Sequence, residues 1–163
     1  MSHPFWTLEV SPQQGFLLLT PCPGSKKSSL EDSLDELAAA GCTLVITLMQ
    51  SEEMSRNGLD QIAEQCQARG MSWQHWPVQD DKAPEQAFEQ AFEQGLAEVE
   101  QCLANNKGIA LHCKGGSGRT GLAAARILLA KGWNLAKAKP AIQELRPNAL
   151  SLQVHCDYIK RFA

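Results

Sequence analysis

The chain has 163 residues, 44% of them hydrophobic and 20% charged, with a formal net charge of −3 at neutral pH. That length suits one domain and can bury a sizeable core without covalent staples. Mild acidity with no block of like charges excludes bulk attraction to nucleic acid or to an anionic membrane.

The N-terminus, Met-Ser-His-Pro-Phe-Trp, has no basic segment before an apolar core, and no run of ~18 apolar residues follows, so neither a signal peptide nor a membrane span is expected. The six cysteines, at 22, 42, 66, 102, 113 and 156, are dispersed without a Cys-x-x-Cys pair. That spacing argues against zinc and thioredoxin-type sites, and thiols in a chain without an export signal stay reduced. A cytoplasmic monomer is the expectation.

In chain order, residues 16–20 form a short apolar strand that Pro21, Pro23 and Gly24 terminate. Ser28 or Ser29 can cap a helix with Leu30, Leu34 and Leu37 at helical spacing, stopped by Gly41. Residues 43–47 are apolar throughout, as for a strand buried on both faces. A polar segment at 50–57 follows. Leu59, Ile62, Ala63 and Cys66 mark a helix ending at Gly70, and residues 71–76 alternate as a strand that stops at Pro77. A loop leads to a long helix over 84–104, with Pro84 in its first turn and Ala87, Phe88, Ala91, Phe92, Leu96, Val99 and Leu103 on one stripe. Residues 109–111 are another apolar strand. A nearly all-apolar helix at 122–130 follows, then a helix at 135–145 that contains Pro140 and should kink there, and a last helix at 151–161. Strands alternating with helices make an α/β fold with a mostly parallel central sheet flanked by helices, in one domain over residues 1–163.

Between the strand at 109–111 and the helix after it lies Leu111-His112-Cys113-Lys114-Gly115-Gly116-Ser117-Gly118-Arg119-Thr120-Gly121. Small residues let this backbone curl so that successive N–H groups point inward, and the helix beginning near Gly118 adds its free N–H groups and positive dipole end. Such a turn binds an oxyanion. Lys114, Gly115, Gly116, Ser117 and Gly118 would line it, and Arg119 offers a planar fork that matches two phosphate oxygens. Cys113 lies at its floor, where a thiol ionises easily and can attack a bound phosphoryl group in line. In an open parallel sheet, ligands sit beyond the carboxyl ends of the strands, where this turn would lie.

The string His-Cys, five residues, Arg, then Ser or Thr resembles the signature of the cysteine-dependent protein tyrosine and dual-specificity phosphatases. The resemblance implies that Cys113 forms a phosphocysteine and Arg119 binds the phosphoryl oxygens. Thr120 would hydrogen-bond the departing sulfur, and His112 would position the loop and help lower the thiol pKa. The signature loop would span 112–120.

Phosphoryl transfer from an alcohol or phenol oxygen also needs a proton donor, and the loop over 77–84, with Asp80 and Asp81, is its natural source. Trp76-Pro77-Val78-Gln79-Asp80 with Ala83-Pro84 is similar to the acid loop of the kinase-associated phosphatase family, a dual-specificity-like branch with bacterial and archaeal relatives. The likeness extends from about residue 16 to 160 and includes Thr20-Pro21-Cys22-Pro23-Gly24 and Arg146-Pro147. It implies Asp80 as general acid, with Asp81 as the other candidate.

Ser117 stands where the family often has Leu or Lys, so substrate choice is open, and Lys114 could favour acidic substrates such as inositol phosphates. Related enzymes often carry a glutamine that orients the hydrolytic water; Gln153 and His155 are the candidates here. Histidines 3, 75 and 155 lack metal-ligand spacing, and no metal or organic cofactor is expected. Trp73 and Trp76 read as core or pocket wall, and Cys22 as a possible redox partner of Cys113.

The expected activity is a phosphomonoesterase acting on phosphorylated proteins or peptides, with phosphate, sulfate or vanadate able to occupy the loop. Alternatives are a phosphatase of inositol phosphates or nucleotides, a phosphate-binding module without turnover, and a sulfur- or arsenate-handling enzyme using the same kind of loop.

Overall fold

The computed structural model describes residues 3–163. Strands β1 (Trp6–Ser11), β2 (Gln14–Thr20), β3 (Cys42–Thr47), β4 (Ser72–His75) and β5 (Gly108–His112) form one sheet in the order β1-β2-β5-β3-β4. Only β1 runs antiparallel, so the sheet is mostly parallel, as expected. The helices are α1 (Leu30–Ala39), α2 (Ser51–Arg56), α3 (Ile62–Ala68), α4 (Gln86–Ala104), α5 (Gly118–Ala130), α6 (Leu135–Leu145) and α7 (Gln153–Lys160).

The pleat divides each central strand between two cores. Leu17, Leu19, Leu44, Ile46, Ile109 and Leu111 point to the face covered by α4, α5, α6 and α7. Leu18, Val45 and Ala110, paired across the ladder, point to the face covered by α1 and α3. Burial on both sides is why these strands read as unbroken apolar runs. β5 enters last in the chain yet lies between β2 and β3, at the point where the strand order reverses. In an open parallel sheet that position puts the turn after β5 in a crevice.

Several expectations are corrected. β1 was not anticipated: Leu8 and Val10 alternate inward and pair with β2 through a two-residue turn. The polar segment 50–57 contains α2, a helix with one buried side chain, Met54, too short to show an apolar period. α4 begins at Gln86 and α7 at Gln153, each two residues later than expected. Ser29 rather than Ser28 caps α1, accepting the Asp32 N–H at 3.0 Å. α6 runs through Pro140, whose ring nitrogen cannot donate to the Ala136 carbonyl. Both residues are exposed, so water can take that carbonyl.

Two contacts seat the C-terminal helices on the site. Arg126 of α5 lies between the rings of Phe92 and Phe162, 4.1 and 3.7 Å from their centroids, and bonds Glu89 of α4 at 2.6 Å and the Tyr158 hydroxyl of α7. Gly121 of α5 lets the segment after α6 approach closely: a Cβ there would meet the Ala149 Cβ at 2.4 Å and the Ile142 Cγ2 at 3.3 Å. Gly121→Ala should therefore destabilise by about 1–3 kcal/mol from overpacking, although alanine is the better helix former. The urea midpoint measures this, and an unchanged or raised midpoint would show that the segment yields.

Candidate active site

β5 delivers His112 and Cys113 to the sheet's carboxyl edge, and the chain then turns into α5. Three consecutive carbonyls of the turn are held by groups outside it. The Lys114 carbonyl accepts the Cys22 N–H at 3.1 Å. The Arg146 guanidinium donates through Nε to the Gly116 carbonyl at 3.0 Å and through Nη2 to the Gly115 carbonyl at 2.9 Å. In a planar trans peptide the next N–H points opposite to the carbonyl. The N–H groups of Gly115, Gly116 and Ser117 thus face inward. That of Gly116 lies 3.3 Å from the Cys113 Sγ. Gly116 needs a positive φ (+80°), and a Cβ there would lie 2.7 Å from the Pro21 nitrogen. Only glycine fits. Arg146 is itself stacked on Trp6 of β1, 4.0 Å above the ring.

Cys113 is 4% exposed, and Thr120, one turn into α5, donates its hydroxyl to Sγ at 3.1 Å. His112 is fully buried, and burial pushes its pKa down to about 4. The ring is neutral at pH 7 and sits in a one-way chain. Trp73 Nε1–H donates to Thr47 Oγ1 at 2.8 Å, Thr47 Oγ1 lies 2.7 Å from His112 Nε2, and Nδ1 lies 3.2 Å from the Cys113 carbonyl. A proton on Nδ1 satisfies all three contacts. His112 therefore fits a role in positioning the loop.

Arg119 is 2% exposed, and its donors divide between two tasks. Nη1 and Nη2 clasp the Glu53 carboxylate at 2.7 and 2.8 Å, and Nη1 also donates to the Val78 carbonyl at 3.0 Å. Burial works against the guanidinium charge, but the Glu53 hydrogen bond and the Glu53 and Asp80 charges outweigh it and raise the pKa. The Arg119 hydrogen bond in turn lowers that of Glu53, against the opposing effect of burial. Nε–H has no partner among the described residues. The edge formed by Nε and Nη2 can thus fork onto an oxyanion while the other edge holds Glu53.

The acid loop is anchored at its start, where the Val78 N–H donates to the Leu48 carbonyl at 2.9 Å and the Val78 carbonyl receives Arg119. Asp80 is 68% exposed, with Oδ1 3.5 Å from Arg119 Nη2. Asp81 takes a left-handed φ of +62°. On the opposite wall Lys114 Nζ donates to Asn57 Oδ1 at 2.6 Å, and Asn57 Nδ2 donates to the Glu53 carbonyl at 2.7 Å.

The sequence-expected residues Cys113, Arg119, Thr120, His112 and Asp80 thus come together, with Lys114, Gly115, Gly116, Ser117 and Gly118 forming the turn. Gln153 bonds Asp157 along α7, whereas His155 reaches into the site, its Nε2 2.9 Å from the Lys82 carbonyl. Trp76 is fully buried against Phe88 and Phe92, which places it in the core. Burial pushes the Cys22 thiol up to about 11. Glu53 was missed because it lies in the polar segment whose helix has no periodic signal. Arg146 enters the sequence reading only within the Arg146-Pro147 likeness, with no role attached, and its stacking on Trp6 leaves no trace in local sequence.

A family model described as "Polymorphic toxin system, DSP-PTPase phosphatase" matches residues 22–133. Cyclin-dependent kinase inhibitor 3 of Sus scrofa is 30% identical over 118 residues, covering 70% of this chain and 54% of that protein. The Rattus norvegicus protein is 29% identical over the same length. The chain thus spans about half the length of the curated relatives it matches. Among solved structures, kinase associated phosphatase with its catalytic-site cysteine replaced by serine superposes with a TM-score of 0.85 at 23% identity, covering 99% of this chain and 94% of that one. Tk-PTP in its active form gives 0.70 at 24% identity, covering 93% and 96%. PTPMT1 gives 0.69 at 19% identity, covering 96% of each. These likenesses establish the expected fold.

Proposed function

Because the chain belongs to the DSP-PTPase phosphatase family, we propose that it is a cysteine-dependent phosphomonoesterase working through a phosphocysteine, and that phosphorylated proteins or peptides are its substrates. One observation carries the reading: the same turn holds the Cys113 sulfur 3.3 Å from the inward Gly116 N–H, with the Gly115 and Ser117 amides beside it and a buried Arg119 whose Nε–H is unpartnered.

A phosphomonoester dianion would place its oxygens on the N–H groups of Gly115, Gly116 and Ser117 and on the Nε/Nη2 edge of Arg119, preorganised where charge develops. The Cys113 sulfur attacks phosphorus, and the bond from phosphorus to the ester oxygen breaks. Asp80, protonated, gives its proton to that leaving oxygen. Water then attacks the phosphocysteine, and the Asp80 carboxylate takes its proton. The S–P bond breaks with its electron pair returning to sulfur, where the Thr120 hydroxyl and Gly116 N–H receive it. The products are an alcohol or phenol and inorganic phosphate.

Lys114 and Asn57 would wall the pocket mouth, with Ser117 making no apolar contribution there. All six cysteines are free thiols, which supports a reducing compartment such as the cytoplasm. No helix among the described residues is long and apolar enough to cross a membrane.

Hydrolysis of an aryl phosphate in a chelator, with vanadate inhibition, tests this directly. Asp80→Asn should lower kcat about 10²–10⁴-fold for a poor leaving group and remove the basic limb of the pH profile, since the limb reports loss of the donated proton. An unchanged profile would move the acid to Asp81. Binding of a phosphopeptide without turnover would replace the enzyme with a recognition module, and hydrolysis confined to soluble phosphate esters would remove proteins as substrates.

A further inference from the structure

Asp80 is largely exposed on a loop that must be accurately placed for proton transfer, and the backbone shows how. Val78 is fixed at one end by the Leu48 carbonyl and by Arg119. Within the loop only a turn bond, Lys82 N–H to the Gln79 carbonyl at 3.1 Å, is internal. At the far end the Lys82 carbonyl lies 2.9 Å from Nε2 of His155. Among the described residues, no other side chain hydrogen-bonds the backbone of residues 79–83.

His155 is 1% exposed and belongs to α7, seated by the Tyr158 bonds to Arg126 and Glu89. A carbonyl can only accept, so Nε2 carries a proton. Burial lowers the pKa of the ring, consistent with a neutral tautomer whose Nδ1 has no partner. Its Cε1 lies 3.7 Å from where a Cβ on Gly118 would stand. One buried imidazole therefore stands beside the phosphate loop where it enters α5 and bonds the acid loop two residues past Asp80.

We infer that His155 is a positioning residue that ties the acid loop to the phosphate loop and so holds Asp80 within reach of the leaving oxygen. The inference rests on the assignment of Asp80 as general acid. A tie of this kind matters only when the leaving group needs a proton. It should leave phosphate binding and attack by sulfur largely intact.

The test is the leaving-group dependence of kcat/KM over aryl phosphates from 2,4-dinitrophenyl to phenyl. Wild type is compared with His155→Leu, His155→Gln, Asp80→Asn and the His155→Leu/Asp80→Asn pair. His155→Leu should cost about tenfold or more on phenyl phosphate and less than about threefold on the dinitrophenyl ester, because protonation is the step impaired. His155→Gln, which keeps an N–H at similar reach, should recover most of the loss. In the Asp80→Asn background, His155→Leu should add nothing. An equal loss on every ester, or a loss that adds to that of Asp80→Asn, would make His155 merely structural and overturn the inference. Should the leucine variant not fold, His155→Asn, polar but too short to reach Lys82, gives the same two outcomes. If Asp80→Asn alone leaves the dependence flat, the acid assignment itself fails and the inference falls with it. That result is read without touching His155, so the two failures are separable.

Discussion

Cys113→Ser should lower turnover of an aryl phosphate by roughly 10⁴-fold or more, as expected for loss of a nucleophile whose neighbours remain in place. The substitution leaves the oxyanion cradle standing. The amides of Gly115, Gly116 and Ser117 are aimed by the bonds that the carbonyls of Lys114, Gly115 and Gly116 accept from Cys22 and Arg146, and Arg119 is held by Glu53 and Val78, none of which involves sulfur. A serine hydroxyl in the same place is a far weaker nucleophile at neutral pH. Phosphopeptide or vanadate affinity should therefore stay within a few-fold of wild type while kcat collapses. Rapid-quench trapping should find a phosphorylated wild-type chain and an unphosphorylated variant. Turnover within tenfold of wild type would remove Cys113 from the chemistry.

Glu53→Gln should damage both catalysis and stability. In the wild type the carboxylate takes Nη1 and Nη2 together, which orients the planar guanidinium and leaves its Nε–H unpartnered. A glutamine can accept at only one oxygen, so the fork loses its second anchor and a buried cation loses its counter-charge. Misplacement of Arg119 on the scale of an ångström should cost about 10²-fold in kcat/KM. The unfolding free energy should fall by about 1–3 kcal/mol, the usual cost of leaving a charged donor unsatisfied.

The pH dependence follows from the sign of the shift. The Glu53 carboxyl is held below its ordinary value by the Arg119 hydrogen bond. Its contribution is therefore complete above the ordinary carboxylate range and is lost as pH falls through the lowered folded value. The wild type should lose stability on acidification more steeply than Glu53→Gln, and the two curves should converge at low pH. Parallel curves from pH 7 to pH 3 would show that the pair stores no stability.

The centre of this site is visible in the amino-acid string because its chemistry is local. Cys113, the glycines, Arg119 and Thr120 lie within one turn between a strand and a helix. Positive φ, inward amides and a helix dipole are properties of consecutive residues. The central strands are legible for a similar reason: burial on both faces leaves no polar alternation in residues 43–47. Asp80 is a weaker inference of the same kind, since proline on either side marks the loop but not which aspartate faces the pocket.

What supports that centre comes from far along the chain. Glu53 meets Arg119 across 66 positions, His155 meets Lys82 across 73, and Arg146 reaches the phosphate loop from 30 residues away and is itself stacked on Trp6. No spacing rule brings these partners together, because their juxtaposition follows from the order of strands in the sheet and the seating of α7 on α4 and α5. The unexpected β1 and α2 belong with them: each is short, and its partner lies elsewhere in the chain, so neither shows a period long enough to read. Local sequence determined which atoms would react, because a turn's geometry depends on its own residues. Only the packed molecule decided how those atoms are held, because hydrogen bonds between distant segments exist only once the sheet has formed.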